Sequence, residues 1–383
     1  MEKKKEGEIC VFYATIPPPM RKSVYKDILD FLIKVSEVSP SGNHLRRLQL
    51  LASLVHGCVK HKNCTLESLS QPSESYSASK KNSFLQQTKR LLGNKWVDWE
   101  MFFMPFAGHF LRMAARGGEL IFVVDGSQTG KTHTSLMVSV LCRGFSIPVA
   151  WVVKAGEKGH FPEQMHLDVL QLLLPVVPLG CRVVILGDGE FDGLRLRDWC
   201  TVQNWEFVLR TSCDRQVDCG GETARIDSLS PPKGHSTVFL PGAVNGANAV
   251  CWHEKRFEKP IFLLTNMDLG KMACRYYKKR FKIETMFKQL KSKGFQLHKT
   301  QLRCPAKISN LIIVAAIAFI FTFCMGCFIK SNIPVAMLET FVRKDKLKNM
   351  GFIAIAQKCW DEAFNIALLF FSELSKNFDW VFT

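Results

Sequence analysis

Residues 119–128 read ELIFVVDGSQ, an apolar run that has the length of a buried strand and is followed by a carboxylate, Asp125. The segments TSLMVSVLCRG and SIPVAWVVKAG come next, and the first of them alternates like a half-buried strand. Their connections are too short for crossover helices, so we expect the three strands to form an antiparallel meander. The stretch that begins at residue 119 therefore predicts the first half of a sheet.

The segments after this meander alternate between helix and strand. Residues 162–176 have helical periodicity, CRVVILGDGEF reads as a fourth strand, FDGLRLRDWC as a helix, and NWEFVLRTS as a fifth strand. Three antiparallel strands, a helix, a strand, a helix and a strand is the order of a ribonuclease-H-like fold. The sequence thus predicts an α/β protein with a ribonuclease-H-like mixed sheet.

The remaining segments divide the chain into regions. Residues 1–110 are predicted to form a helical N-terminal region that contacts DNA, and 115–335 the sheet domain. Within that domain, residues 213–258 are rich in Gly, Pro, Ser and Cys and predict a small β insertion before the strand PIFLLTN. Residues 336–383 are predicted to form a C-terminal helical region.

The net charge points to a polyanionic partner. The chain has 383 residues, with 51 Lys and Arg against 34 Asp and Glu, which gives +17. Such an excess favours binding to nucleic acid, because neutralised phosphates release their counterions, although a membrane surface would select the same charge. The N-terminus MEKKKEGEIC has no apolar run typical of a secretory signal, so we expect a cytoplasmic protein.

The cysteines give weaker indications. The fourteen cysteines are scattered, and without an export signal most are expected to be reduced and buried. In HGCVKHKNC (56–64), the His and Cys spacings do not match the usual zinc-binding patterns. Cys324 and Cys327 form a CxxC inside an apolar helix, where a metal or redox role is not favoured.

Three carboxylates stand out. Asp125 and Asp188 follow the first and fourth strands, which are neighbours at the centre of a ribonuclease-H-like sheet. Glu284 is the only acid in the basic segment YKKRFKIETMFKQLK (277–291). Carboxylates among apolar strands are costly unless they bind something, and three of them would make an oxygen-ligand site suited to Mg²⁺ or Mn²⁺.

The basic segment has one polar stripe if it is wound as a single helix. At 100° per residue the members of this stripe fall within about 80° of one another; they are Tyr277, Arg280, Glu284, Lys288 and Lys291. A solvated helix face with a Glu284–Lys288 ion pair would give the same pattern.

These residues carry a resemblance to a known family. The spacing Tyr277-x2-Arg280-x3-Glu284-x6-Lys291 resembles the YREK signature of DDE transposases from bacterial insertion sequences of the type-four family. VVDGS (123–127) and ILGDGEFDG (185–193) are similar to that family's first two acidic motifs. The resemblance covers about 115–330 and implies a transposase that performs metal-dependent DNA cleavage at element ends and strand transfer, that is, cut-and-paste transposition.

The resemblance also implies roles and partners. Asp125 would be shared by two Mg²⁺ or Mn²⁺ ions, with Asp188 and Glu284 each holding one of them. The residues implied to contact DNA are Tyr277, Arg280, Lys288, Lys291 and, on the insertion, Trp252, which would hold a flipped base unless it is a packed core residue. The partners would be double-stranded DNA, as transposon ends and target, and a second copy of the chain, in the nucleoid of a bacterial cytoplasm.

Within GDGEFDG, Asp188 is preferred as the second acid because it is nearest to the strand end and matches the family motif. Glu190 and Asp192 are interpreted as surface or helix-capping residues.

Two segments suggest other functions. GSQTGKT (126–132) is similar to a P-loop and would indicate ATP-dependent DNA processing, but one residue is missing from the spacing and an alternating segment follows it. Residues 311–329 are apolar and uncharged over a length that could span a membrane, which would indicate a basic, non-enzymatic membrane-associated protein. A helix buried on all sides is the preferred interpretation, and no membrane partner is expected. The other non-enzymatic alternative is a copy with the same fold that binds DNA without cutting it.

Overall fold

The computed structural model of the protein describes residues 24–376 except 37–38, 72–80, 157–158, 235–236 and 349. The helices that precede the sheet are α1 (Val24–Val35), α2 (Gly42–His61), α3 (Leu66–Leu69), α4 (Lys81–Leu92), α5 (Trp99–Phe102) and α6 (Met104–Ala114). In α1, the apolar residues Ile28, Phe31 and Val35 recur at helical spacing and are buried. Residues 1–23 and 377–383 of the predicted terminal regions lie outside the described residues.

The predicted meander consists of β1 (Glu119–Gln128), β2 (His133–Cys142) and β3 (Phe145–Ala155), all antiparallel. The β2–β3 turn is made by Arg143 and Gly144, whose φ angles of 47° and 78° suit a tight hairpin that follows the sheet twist. The segment that is similar to a P-loop comprises the last three residues of β1 and the turn to β2, so it closes a hairpin and opens no helix. The P-loop interpretation was therefore wrong.

The next two strands of the sheet run parallel to β1. After α7 (Glu163–Gln171), β4 (Arg182–Gly187) pairs with β1 in parallel, and after α8 (Leu194–Val202), β5 (Glu206–Arg210) pairs with β4 in parallel. The strand order up to this point is β3-β2-β1-β4-β5. The predicted α/β class with a ribonuclease-H-like mixed sheet is confirmed.

The insertion is built of short β-strands, as the sequence predicts. It contains a two-stranded sheet of β6 (Gln216–Asp218) and β7 (Thr223–Arg225) and a hairpin of β8 (Val238–Val244) and β9 (Ala247–Trp252). This hairpin extends the main sheet, because β9 pairs antiparallel with β10 (Ile261–Thr265), which pairs with β5. The full strand order is β3-β2-β1-β4-β5-β10-β9-β8. The insertion is thus joined through β10 to β5, the neighbour of the strand that ends at the second acid.

The sequence pattern predicts one helix for the basic segment 277–291, and this prediction is wrong. Helix α9 (Gly270–Tyr277) ends at Tyr277, the first residue of this segment, and α10 (Lys282–Leu290) begins after a turn. The N–H groups of Lys279, Arg280 and Lys282 donate to carbonyls three residues earlier, which tightens the backbone into this turn. The apolar face of α10 is buried, as the sequence pattern predicts.

The apolar segment 311–329 lies within α11 (Pro305–Asn332). Helix α11 is long and apolar enough to cross a membrane, but its most apolar window is entirely buried inside the protein. Four helices follow it: α12 (Val335–Leu338), α13 (Lys344–Leu347), α14 (Phe352–Glu362) and α15 (Phe364–Lys376). Helix α11 packs against α2, β3, α14 and α15. The preferred interpretation as a buried helix is confirmed.

Candidate active site

The strand register brings the two aspartates to the same level of the sheet. Strands β1 and β4 pair from Glu119 opposite Arg182 to Val123 opposite Leu186. Continuing this register by two residues places Asp125 opposite Asp188, at strands that are about 4.8 Å apart. Residues in register on parallel strands extend to the same face, so both carboxylates lie at one edge of the sheet.

The backbone around both aspartates requires glycine. A Cβ atom on Gly126, directly after Asp125, would lie 2.5 Å from Cε2 of Phe161. A Cβ atom on Gly187, directly before Asp188, would lie 2.8 Å from Cβ of Phe191. Each acid therefore stands beside a position where neighbouring side chains pack against bare backbone.

Arg280 connects the acids on the sheet and on the helix. Its Nη1 lies 3.4 Å from Oδ2 of Asp125, and its Nη2 donates to Oε1 of Glu284 at 3.0 Å. Burial of the guanidinium lowers its pKa, but Tyr277 and the carboxylates of Asp125, Asp188 and Glu284 raise it, and the pKa of Arg280 is raised above its usual value. One cation is thus held by the negative field of all three predicted acids.

Tyr277 lies beside this cation. Tyr277 is only 8% exposed, and the guanidinium carbon of Arg280 lies 6.0 Å from the centroid of its ring. Burial and Asp188 raise the pKa of the Tyr277 hydroxyl, while Arg280 and Arg210 lower it, and the pKa is raised above its usual value. The phenol therefore stays protonated and can donate a hydrogen bond.

Arg210 is a site residue that the sequence interpretation missed. Strands β4 and β5 pair with Gly187 opposite Leu209, so one further step places Arg210 beside Asp188. Arg210 is exposed and lines a cleft of about 660 Å³ together with Asp188, His253, Lys259 and Phe262. In the sequence, Arg210 is recognisable only as the last residue of the predicted strand NWEFVLR. Its place beside Asp188 depends on the register of β4 and β5, which the sequence does not reveal.

The acids present the chemistry of a site for a hard divalent cation. Their donors are carboxylate oxygens alone, which Mg²⁺ and Mn²⁺ prefer. Asp125 and Glu284 already converge on one positive charge, the guanidinium of Arg280. In the described part of the chain, no three His, Cys, Asp or Glu side chains lie close enough together to enclose a metal ion. The donor types fit such an ion, whereas the three carboxylates do not meet at one point in this structure, and Arg280 lies between those of Asp125 and Glu284.

The comparison with protein families decides the identity. Residues 113–321, more than half of the chain, match the family described as the transposase DDE domain. The chain belongs to this family. It is therefore a transposase, an enzyme of the polynucleotidyl transferase type.

Two further comparisons concern curated protein sequences and solved structures. No curated protein matches the sequence of this transposase. Among solved structures, it is similar to the piggyBac transposase in a cryo-EM structure of a synaptic complex with hairpin DNA. The two share 13% sequence identity with a TM-score of 0.45, and the alignment covers 93% of this chain and 79% of that chain.

The other predicted DNA contacts of the transposase differ in their accessibility. Lys288 on α10 is exposed, and Lys291 at the end of α10 is half-buried. Lys291 also lies near His298, whose pKa is lowered by burial and by the charges of Lys299 and Lys291. Both lysines continue the basic surface beyond Glu284.

Trp252 does not offer a face to DNA. It is 4% exposed on β9, its ring packs edge-on against Phe257 at 4.8 Å, and the ammonium of Lys278 lies 5.3 Å from its centroid. A ring that holds a flipped base needs an open face, and the ring of Trp252 has none. This geometry is that of a packed core tryptophan, the alternative given above. We leave Trp252 out of the proposed DNA contacts.

The two acids that follow Asp188 are not surface residues. The carboxylate of Glu190 accepts a hydrogen bond from the backbone N–H of Phe161. Asp192 accepts from Thr211 and forms an ion pair with Arg215 at the start of the insertion. Their side chains are only 18% and 14% exposed, so both connect segments of the fold.

The cysteine-containing segment 56–64 carries no metal site in the described residues. His56, Cys58 and Cys64 are buried, and burial raises the pKa of the Cys64 thiol to about 12. These thiols stay protonated and pack as small apolar groups.

Proposed function

We propose that this transposase cuts DNA at the ends of an element and joins the ends to a target, with a divalent metal site made by Asp125, Asp188 and Glu284. The observation that supports this most is the register that aligns Asp125 with Asp188, together with the pairing of Arg280 to both Asp125 and Glu284. The net charge of +17 suits a DNA substrate.

The carboxylates are the proposed metal ligands. Mg²⁺ or Mn²⁺, expected as two ions shared through Asp125, would lower the pKa of the attacking water and offset charge on the leaving oxygen. The chain's own part is to hold the carboxylates at fixed positions on rigid strands. Glu284 is the most exposed of the three, since its side chain is 49% exposed on a helix rather than in the sheet.

The cations around the acids are the proposed phosphate ligands. Arg280 lies among the carboxylates, and Arg210 borders Asp188 on the side away from Asp125. Lys288 lies on α10, and Lys291 follows its last residue. Guanidinium groups bind phosphate through two parallel hydrogen bonds, which would orient the scissile strand. We expect Arg280 to exchange its carboxylate partners for a phosphate oxygen, with Tyr277 donating from its protonated hydroxyl.

The finer classification is also a proposal. The YREK spacing supports placement among the bacterial insertion-sequence transposases of the type-four family, which would act in the nucleoid of the cytoplasm. We propose a homodimer in the synaptic complex, because two ends must be held together for joining.

The test uses the full chain and end-labelled duplexes that carry the genomic sequences on either side of the gene. With Mg²⁺ we expect discrete cleavage products from the unaltered protein, and none from Asp188→Asn or Glu284→Gln. Both variants should still retard the duplexes on a native gel, because the phosphate-binding cations are unchanged. Cleavage by either variant at the unaltered rate would remove that acid from the site.

A further inference from the structure

Glu190 fastens the turn after β4 to the segment that precedes α7. Its Oε1 accepts a hydrogen bond from the backbone N–H of Phe161. Nε2 of His166 lies 3.7 Å from the same oxygen, and His166 is only 3% exposed. The carboxylate is thus held between an N–H donor and a buried imidazole, in a place where its loss would leave a backbone donor unpaired.

Phe161 carries this connection on to the first acid. Its ring is 5% exposed, lies under the ammonium of Lys154 at 4.3 Å, and fills the space where a Cβ atom on Gly126 would stand. Gly126 follows Asp125 directly, and its N–H donates to Oδ1 of Asp125 at 2.7 Å. The position of the ring therefore limits where the backbone that holds Asp125 can lie.

The other end of the connection is the second acid. Oδ1 of Asp188 accepts from the N–H of Glu190 at 3.1 Å, and the N–H of Phe191 donates to the carbonyl of Asp188 at 3.1 Å. These bonds make a tight turn in which the orientation of Asp188 and the backbone of Glu190 are coupled. A continuous path runs from Asp188 through Glu190 and Phe161 to Gly126 and Asp125.

We propose that Glu190 is a positioning residue that, through Phe161, sets the separation and orientation of the carboxylates of Asp125 and Asp188 for the divalent cation. This inference rests on the proposed metal-dependent function and goes beyond it by naming the residue that aligns the ligands. Metal affinity depends on groups that orient the ligands, and their loss typically weakens binding by roughly 10- to 100-fold.

The test measures Mn²⁺ binding to the full chain by isothermal titration calorimetry and by the loss of the free Mn²⁺ electron paramagnetic resonance signal, without DNA. We expect Glu190→Ala to raise the dissociation constant about tenfold or more. Glu190→Gln keeps an oxygen that can accept from Phe161 and should stay within about threefold of the unaltered protein. Glu163→Gln is the matched control, since Glu163 caps α8 through Leu196 and should leave Mn²⁺ binding unchanged.

A double-variant cycle tests the path itself. Phe161→Ala should weaken Mn²⁺ binding as Glu190→Ala does, and the combined variant should be no weaker than the weaker single variant, because both act through one contact. Gly126→Ala should also weaken binding by displacing the ring. Thermal unfolding of each variant confirms that it is folded, and Phe161→Leu, which should weaken Mn²⁺ binding in the same direction, serves if the alanine variants do not fold.

The outcomes separate the two proposals. Unchanged Mn²⁺ affinity in folded Glu190→Ala, or full additivity with Phe161→Ala, would overturn the positioning role while Asp188→Asn still abolishes binding. If the unaltered protein binds no Mn²⁺, or Asp188→Asn binds it equally well, the metal site fails and the positioning role fails with it.

Discussion

The strands β1, β4 and β5 carry charged clusters at both of their ends, and the two clusters differ in how they are closed. At the amino end, Arg182 on the central strand donates to Glu119 on β1 at 2.8 Å and pairs with Glu206 on β5 at 2.6 Å. It also donates to the hydroxyl of Tyr276 at 2.8 Å. Each acid there has the guanidinium within hydrogen-bond distance.

At the carboxyl end the order of the charges is changed. The acids Asp125 and Asp188 occupy neighbouring strands, and the arginine of the sheet, Arg210, stands outside them. The cation Arg280 comes from outside the sheet and bridges Asp125, at 3.4 Å, to Glu284 on the helix, at 3.0 Å. The same residue types thus make a tightly paired structural cluster at one end and a looser arrangement of adjacent carboxylates at the other, where a divalent cation can compete.

The largest expected effect separates the two ends by their role in cleavage. Asp125→Asn should lower the rate of DNA cleavage in Mg²⁺ by at least about 1000-fold, because it removes a metal ligand. Glu119→Gln, six residues earlier on the same strand, should leave the rate within about twofold. Rates are measured on end-labelled duplexes at equal fractions of bound DNA. Equal losses in the two variants would mean that the two clusters do not differ in function.

The second effect concerns stabilisation by metal. Mn²⁺ at about 100 times its dissociation constant should raise the free energy of unfolding by about 2.7 kcal/mol. Asp188→Asn should lose most of this gain, whereas Glu206→Gln at the amino end should keep it. The measurement is urea unfolding with and without Mn²⁺, and a gain that survives in Asp188→Asn would place the cation elsewhere.

The third effect is on stability without metal. Arg182→Met should lower the free energy of unfolding by about 1 kcal/mol, since it leaves Glu119 and Glu206 without their shared partner at a half-exposed site. Cleavage at temperatures where the variant is folded should stay near normal. A large loss of cleavage with unchanged stability would contradict a structural role for the amino end.

The smallest effect is on the salt dependence of DNA binding. Arg210→Ala should reduce the slope of log affinity against log salt concentration by about 0.9, because one phosphate contact is lost. Arg182→Met should leave the slope unchanged. Fluorescence anisotropy over a range of salt concentrations gives both slopes, and identical slopes for Arg210→Ala and the unaltered protein would exclude the phosphate contact.

Much of the fold could be predicted from local patterns. Apolar runs, their alternation and the connection lengths were sufficient for the meander and for the two parallel strands, because one face or both faces of each strand are buried. The buried helix α11 was predicted from its continuous apolar sequence. The acids Asp125 and Asp188 were found because each directly follows the apolar core of its strand.

The rest depended on tertiary contacts that leave no local signal. The break between Tyr277 and Lys282 contains no Pro or Gly, so the periodicity continued through it. Arg210 belongs to the site through the register of β4 and β5, and Glu190 reaches Phe161 from a distant segment. The burial of Trp252 follows from the pairing of β9 with β10, which extends the main sheet.

The most direct test of the metal site is an anomalous-scattering experiment on crystals of the transposase grown with Mn²⁺. We predict an anomalous peak in contact with the carboxylates of Asp125 and Asp188, with Arg280 moved away from Asp125, and no peak at Glu119 and Glu206. An absence of any peak at Asp125 and Asp188, with Arg280 still paired to Asp125 and Glu284, would contradict the proposed metal-dependent active site.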